Sequence, residues 1–540
     1  MKTSRNTRNR TEKPKKLKNR NIIPRFVQEK LAITVLVIML ALFLLGIRLY
    51  LIIDSKNDEY TKIVLSQRST YDSRTIPYRR GDIVDRNGTY LATSEQVFYV
   101  ILDPAQMGVK DGDERYLQTT VDALSEYFGY DAADLKQVIT RNPESSYIRY
   151  DKQIPYEQKI EFENKKSEIN TANYKAGKDG RVKGVWFEPE YKRVYPYNNL
   201  ACNLIGFASS DGTTGSGGME QYYNDSLIGT NGREYGYLND DSNIETVVKE
   251  AENGNTIMST IDVNIQKMVE KRIEQWKTEV GSKQIGVVVM DPSNGEILSM
   301  ATDKTYDLNN PRDLSSMYTQ EEQDAMSDEE KANAWNQMWR NFCVSDTFEP
   351  GSPSKVFTVS AALEENLVTP NTHFFCDGYQ TIAGYNVKCT AFRKGGHGDM
   401  ALDETLMVSC NDAMMQMAAM EKKETFKKYQ DLFNLGSKTG IDLPGEADAS
   451  TLVYQADNMG PMDLATNSFG QNYNCTMVQM ASAFASTING GYYYEPHIVK
   501  QILNESGSVV KKNDRLLVRE TVSASTSDFI RRALVRTVAE

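Results

Sequence analysis

Residues 348–363 read Phe348-Glu-Pro-Gly-Ser-Pro-Ser-Lys355 and continue as Val356-Phe-Thr-Val-Ser-Ala-Ala-Leu363. The second half is an apolar run wide enough for a buried helix, and Pro353 suits its first turn, where a missing N–H costs nothing. Ser352 then opens the helix and Lys355 follows one turn later on the same face. A serine hydroxyl attacks poorly unless a base takes its proton, and a lysine can be that base only when desolvation or a neighbouring cation makes it neutral. A buried helix start provides the setting, and its positive end with the Ser352 N–H favours the oxyanion that forms on an attacked carbonyl. The pattern predicts acyl transfer with Ser352 as nucleophile and Lys355 as general base.

Ser-x-x-Lys is a weak signal by spelling alone, since a chain of this size holds roughly two by chance. Ser508-Val-Val-Lys511 is a second match, but it lies in a β-branched run, where residues i and i+3 point to opposite faces and cannot meet. Ser409-Cys-Asn411 adds to the first match: a serine there can relay a proton between base and leaving amine, and an asparagine amide can hold a peptide carbonyl and the lysine together. Taken alone, that triplet reads equally well as a helix-capping Ser and Asn in a loop.

Outward from these residues, an apolar run at 285–290, the turn Asp291-Pro-Ser-Asn-Gly295 and a second run at 297–301 predict a β-hairpin. An acidic stretch at 321–331 with a capping pattern at Ser327 and Glu330 predicts a surface helix. Helical runs fill the sequence to about 490, strands follow at 497–503 and 508–510, and the last helix sets Phe529, Ala533, Leu534 and Val538 on one side. Residues 251–540 therefore read as an α/β domain, a sheet with its helices clustered mid-sequence. Residues 54–250 are rich in Tyr, Asn, Asp, Lys and Gly and predict an α+β pedestal with few strong helices. The glycine-rich stretch at 209–220 lacks the preceding strand and Lys-Ser/Thr ending of a phosphate loop, so its glycines are assigned to tight turns.

The first 30 residues hold eleven Lys/Arg against Glu12 and Glu29, a solvated basic tail. Residues 31–53 are almost wholly apolar, with Arg48 the one charge, and span about 34 Å as a helix against a hydrocarbon core of roughly 30 Å. A retained transmembrane helix is expected, the tail cytoplasmic and the rest extracytoplasmic, in the cell membrane. The formal net charge is −11, and removing the basic tail leaves the ectodomain more acidic still, which argues against a nucleic-acid partner.

Together these segments make the chain resemble a class B penicillin-binding protein, the monofunctional D,D-transpeptidases that cross-link peptidoglycan. Arg80-Gly-Asp-Ile-Val-Asp-Arg-Asn-Gly88 with Leu91 and Ala92 resembles the family's pedestal signature, and Gly215 to Glu220 with Tyr223 and Asn224 its second pedestal motif. Arg340-Asn341 and Glu349-Pro-Gly-Ser352 resemble the approach to the nucleophile. The resemblance implies an α/β penicillin-recognising fold and acylation of Ser352 by the penultimate D-Ala of a stem peptide, with transfer to an amine of a neighbouring strand. It implies β-lactams as ligands of the same serine, a membrane glycan polymerase as partner, and no required cofactor or metal. Two alternatives stand beside it: a D,D-carboxypeptidase or β-lactamase-type hydrolase, and a non-enzymatic β-lactam sensor or scaffold.

The family's third motif, a strand-borne Lys-Thr-Gly, is expected after residue 540, so the chain is read as C-terminally incomplete. Lys438-Thr-Gly440 precedes Ile441-Asp-Leu-Pro-Gly445 and is read as a loop rather than as that motif. Cys376 and Cys389 flank a hairpin-like stretch with His373 and His397 nearby; a disulfide is the first expectation, free thiols the second and a structural zinc site the third. Cys410 is taken as buried filler, and the methionines from Met414 to Met420 as core packing.

Overall fold

A computed structural model describes residue 30 and residues 39–48, 71–109, 112, 114–238 and 244–539. Most of the expected membrane segment lies outside the described residues; residues 39–48 of it are helical, and no described helix is long and apolar enough to cross a membrane. The chain divides into two compact units. The smaller, residues 1–74 with 234–248, holds most of a three-stranded sheet ordered Tyr71–Ile76, Gly232–Leu238, Ile244–Lys249.

The larger unit is built on a seven-stranded sheet that draws strands from both halves of the sequence. Its order runs Val509–Lys512, Val499–Leu503, Thr256–Ser259, Ile83–Val84, Tyr90–Leu102, Ile148–Pro155, with Val185–Val194 also paired to Tyr90–Leu102. The Thr256–Ser259 strand runs antiparallel to Val499–Leu503 and parallel to Ile83–Val84, so it joins pedestal and catalytic half through backbone hydrogen bonds. One apolar core crosses the same junction, with Ile83, Leu91 and Met219 beside Ile297, Met300 and Ile498.

The pedestal carries more helix than its composition suggests. Leu117–Phe128 buries Leu117, Val121 and Leu124 at helical spacing, and Asp131 caps Ala132–Arg141 by accepting from the Asp134 N–H at 2.7 Å. Tyr156–Lys175 buries only Phe162, so no apolar stripe announced its 20 residues. The pedestal motifs meet across 140 residues: Glu220, fully buried, takes Arg80 at 2.7 Å and Arg193 at 2.7 Å, and accepts from the Tyr195 hydroxyl at 3.1 Å. Burial alone would raise its pKa, but the two guanidinium groups outweigh it and hold Glu220 below the usual carboxylate range.

In the catalytic half the expected hairpin is present as Gly286–Met290 and Ile297–Thr302. The acidic surface segment forms two helices, Gln320–Ala325 and Asp328–Trp339, the second capped reciprocally by Ser327 and Glu330. Ser508 leads into the strand Val509–Lys512, away from any helix. The last helix, Ala524–Ala539, buries Phe529 and Ala533 but leaves Val538 89% exposed, because the buried stripe also takes Thr526, Ser527 and Ile530 and turns the helix away from the expected face. Met414, Met415 and Met417 lie in the core around the helix that follows Ser352.

Candidate active site

Ser352–Ser354 is a single 3₁₀ turn that continues directly into the helix Lys355–Glu364, with Pro353 in the turn and Gly351 (φ 66°) as its cap. Every residue from Lys355 to Ala362 is buried, so the lysine side chain begins in an apolar wall. The approach to Ser352 is pinned by a loop from later in the chain. Phe348 and Cys475 exchange two backbone hydrogen bonds at 3.0 Å, Thr358 Oγ1 donates to the Ser468 carbonyl at 2.8 Å, and the Gly351 N–H donates to the Gly470 carbonyl at 2.8 Å.

Ser409 ends the helix Leu402–Met407 in the left-handed region, φ 54°, an uncommon place for a residue with a Cβ. That geometry presents both of its oxygens to Lys355. Lys355 Nζ lies 2.7 Å from the Ser409 carbonyl, 2.8 Å from Ser409 Oγ and 3.2 Å from Ser352 Oγ, while Ser409 Oγ lies 3.1 Å from Ser352 Oγ. Burial depresses the Lys355 pKa to about 8, against the opposing effect of the Cys389 and Cys410 thiols. No carboxylate pairs with this amine among the described residues, so the neutral form is within reach near neutral pH. Asn411 begins the long helix Asn411–Leu432, half-buried, its amide without a partner among the described residues. The structure thus brings Ser352, Lys355 and Ser409 into one triangle and places Asn411 two residues from it.

In Lys438-Thr-Gly440 the Thr439 and Gly440 donors are already engaged. The Thr439 N–H and hydroxyl and the Gly440 N–H all go to the Glu446 carboxylate, and the following Asp442 accepts from the Tyr223 hydroxyl and the Ile498 and Val499 amides.

The expected Cys376–Cys389 disulfide is absent, and all six cysteines are free thiols. The hairpin between them exists, Tyr379–Ile382 with Tyr385–Lys388, but a third sulfur from another element, Cys410, meets both. The ligand atoms of Cys376, Cys389, His397 and Cys410 all lie within 4.8 Å of one another, the three thiols buried. Cys389 Sγ is 3.8 Å from Cys410 Sγ and 3.7 Å from His397 Nδ1. Tetrahedral zinc with Zn–S bonds of about 2.3 Å requires sulfur–sulfur edges of about 3.8 Å; the Cys389–Cys410 edge has that length, and the three-thiol, one-imidazole donor set is one that a structural zinc ion takes. The hydrogen bond shared by Cys389 and Cys410 holds Cys389 well below the usual thiol range and pushes Cys410 above it. His373 is elsewhere, exposed and 2.9 Å from Asp399. Cys410 is therefore a member of this cluster, placed between Ser409 and Asn411, and not mere filler.

Residues 285–540 match the family model described as the penicillin binding protein transpeptidase domain, and residues 75–259 that of the penicillin-binding protein dimerisation domain. The chain is 30% identical over 517 residues to stage V sporulation protein D of Bacillus subtilis, covering 93% of this chain and 73% of that protein. It is 24% identical to the peptidoglycan D,D-transpeptidase MrdA of Escherichia coli K12, covering 80% of this chain and 68% of that one. Penicillin binding protein 2X from Streptococcus thermophilus shares the fold with a TM-score of 0.68 at 21% identity, over 86% of this chain and 66% of that chain. With the pedestal motifs joined at Glu220 and the serine–lysine–serine triangle in place, the chain belongs to the class B penicillin-binding proteins, the D,D-transpeptidases of peptidoglycan.

Proposed function

We propose that Ser352 is the acylated nucleophile of this transpeptidase and Lys355 its general base. The observation that carries this is the triangle: an amine 3.2 Å from Ser352 Oγ with a pKa lowered to about 8 by burial. Neutral Lys355 takes the hydroxyl proton as Ser352 Oγ bonds to the carbonyl of the penultimate D-Ala in a stem peptide. Among the described residues no acceptor takes the Ser352 N–H, which leaves it for the oxyanion. Ser409 Oγ, touching both partners, carries the proton on to the leaving D-Ala amine, and the bond to that amine breaks. A second amine then attacks the ester, gives its proton back along the same path and restores Ser352. The unpartnered Asn411 amide suits the substrate's peptide carbonyl.

In this reading β-lactams acylate Ser352 as stem-peptide mimics. Residues 31–53 anchor the chain in the cell membrane with the basic tail inside, and a membrane glycan polymerase supplies the strands to be joined. Fluorescent penicillin tests the assignment: Ser352→Ala is expected to abolish covalent labelling and Ser508→Ala to leave it intact. Labelling that survives in Ser352→Ala overturns it. A scaffold would not label at all, a sensor would label without forming cross-links, and a hydrolase would release the shortened peptide in place of cross-linked product.

A further inference from the structure

Behind the helix that follows Ser352 lies a narrow buried cavity of about 20 Å³. Its walls include Ser354 from the turn that holds Ser352, Thr358 from the helix after it, Glu421 and Gln430 from the long helix that begins at Asn411, and Asn467. Polar groups crowd it without meeting partners in the protein: both carboxyl oxygens of Glu421, both amide atoms of Gln430 and Oδ1 of Asn467. All three residues are at most 4% exposed. Burying such groups unpaired is costly, so five around one space call for a common partner. One water needs roughly 10–15 Å³ and two to four polar neighbours, and both conditions are met.

The position of the cavity gives it a bearing on the reaction. Ser354 and Thr358 lie within two turns of Ser352, and Thr358 is bonded to Ser468. Asn467 Nδ2 donates to the carbonyls of Gln471 and Asn472, framing the Gly470 that holds Gly351. Glu421 immediately precedes Lys422, where the long helix breaks with φ 62° and ψ 164°. The long helix that carries Asn411 and the segment that holds Gly351 therefore meet, against the helix that follows Ser352, around one set of unpaired groups.

We propose that a single buried water shared by Glu421, Gln430 and Asn467 ties the long helix that carries Asn411 to the segment that holds Gly351, making Glu421 a positioning residue for the Ser352 nucleophile. Burial, with Glu365 nearby, raises the Glu421 pKa well above the carboxylate range, so it enters as a neutral acid. As such it donates one hydrogen bond to the water, which also accepts from Gln430 and donates to Asn467 and Gln430, so that four of the five groups are met and one Glu421 oxygen is left.

The proposal rests on the assignment of Ser352, and its test separates the two. In the full chain, Glu421→Gln keeps a donor and an acceptor and is expected to acylate with fluorescent penicillin within about 2-fold of wild type. Glu421→Leu and Gln430→Leu are expected to slow acylation on the order of 10-fold at saturating drug, with drug affinity unchanged. A crystal structure of the wild-type chain is expected to hold one ordered water between the three side chains. An empty cavity, Leu variants that acylate at the wild-type rate, or Glu421→Gln as slow as Glu421→Leu each overturns the proposal. A wild-type chain that penicillin does not label refutes the Ser352 assignment, and the water is still decided by the crystal structure.

Discussion

Gly351 and Gly470 cross so closely that a Cβ built on Gly470 would stand 2.0 Å from the Gly351 carbonyl oxygen. The Gly470 backbone is also left-handed, φ 84°, so glycine is required there twice over, by space and by conformation. Gly351 is the residue before the nucleophile, and any shift at the crossing moves Ser352.

Gly470→Ala is accordingly expected to lower stability by about 1–3 kcal/mol and to cut the rate of penicillin acylation by a factor on the order of 100. Stopped-flow or gel-based labelling beside a thermal melt reads both. Acylation at the wild-type rate would mean that the crossing does not set the position of Ser352.

Lys355 sets the pH dependence. Its protonated form cannot accept the Ser352 proton, so the acylation rate should be low at pH 6, rise through an inflection near 8 and level off above it. The inflection should vanish in Lys355→Ala together with nearly all of the activity. A flat profile between pH 6 and 9 in the wild type would show that the amine is not the base.

The thiol cluster leads to a metal prediction. Elemental analysis of the purified chain is expected to find about one zinc per molecule, and Cys389→Ser to lose it. Because Cys410 links Ser409 to Asn411, metal removal should slow acylation as well as lower the melting temperature. Three reactive thiols and no zinc would return the residues to ordinary core.

Among the described residues Glu220 is the sole carboxylate that both Arg80 and Arg193 bond, and Arg193 Nη2 already has no partner there. Glu220→Gln leaves two buried cations uncompensated and is expected to cost about 3–5 kcal/mol, measured by denaturant unfolding. Since the site lies in the pedestal, surviving folded protein should still label with penicillin.

The geometry of the candidate site was legible where it is local. Ser352 and Lys355 sit on one helical turn, so spacing and the Pro353 start were enough to pair them, and the Ser327–Glu330 capping box and the hairpin at 286–302 followed from the same kind of short-range rule. What was not legible depends on distant partners. Cys410 joins Cys376 and Cys389 only after two separate elements fold together, so a pair flanking a hairpin read more simply as a disulfide. The Tyr156–Lys175 helix escaped notice because its core contribution is one phenylalanine. Glu421 looks like any charged helical residue until Asn467, from another segment, closes the space in front of it.

The ladder through Thr256–Ser259 bears on how far the molecule is modular. A cut between residues 259 and 285, where the two family models part, would separate that strand from its Val499–Leu503 neighbour and strip both fragments of a paired edge. Neither piece should behave as an interchangeable cassette, and exchanging pedestals between relatives should succeed only when the graft brings a strand that fits the recipient's edge.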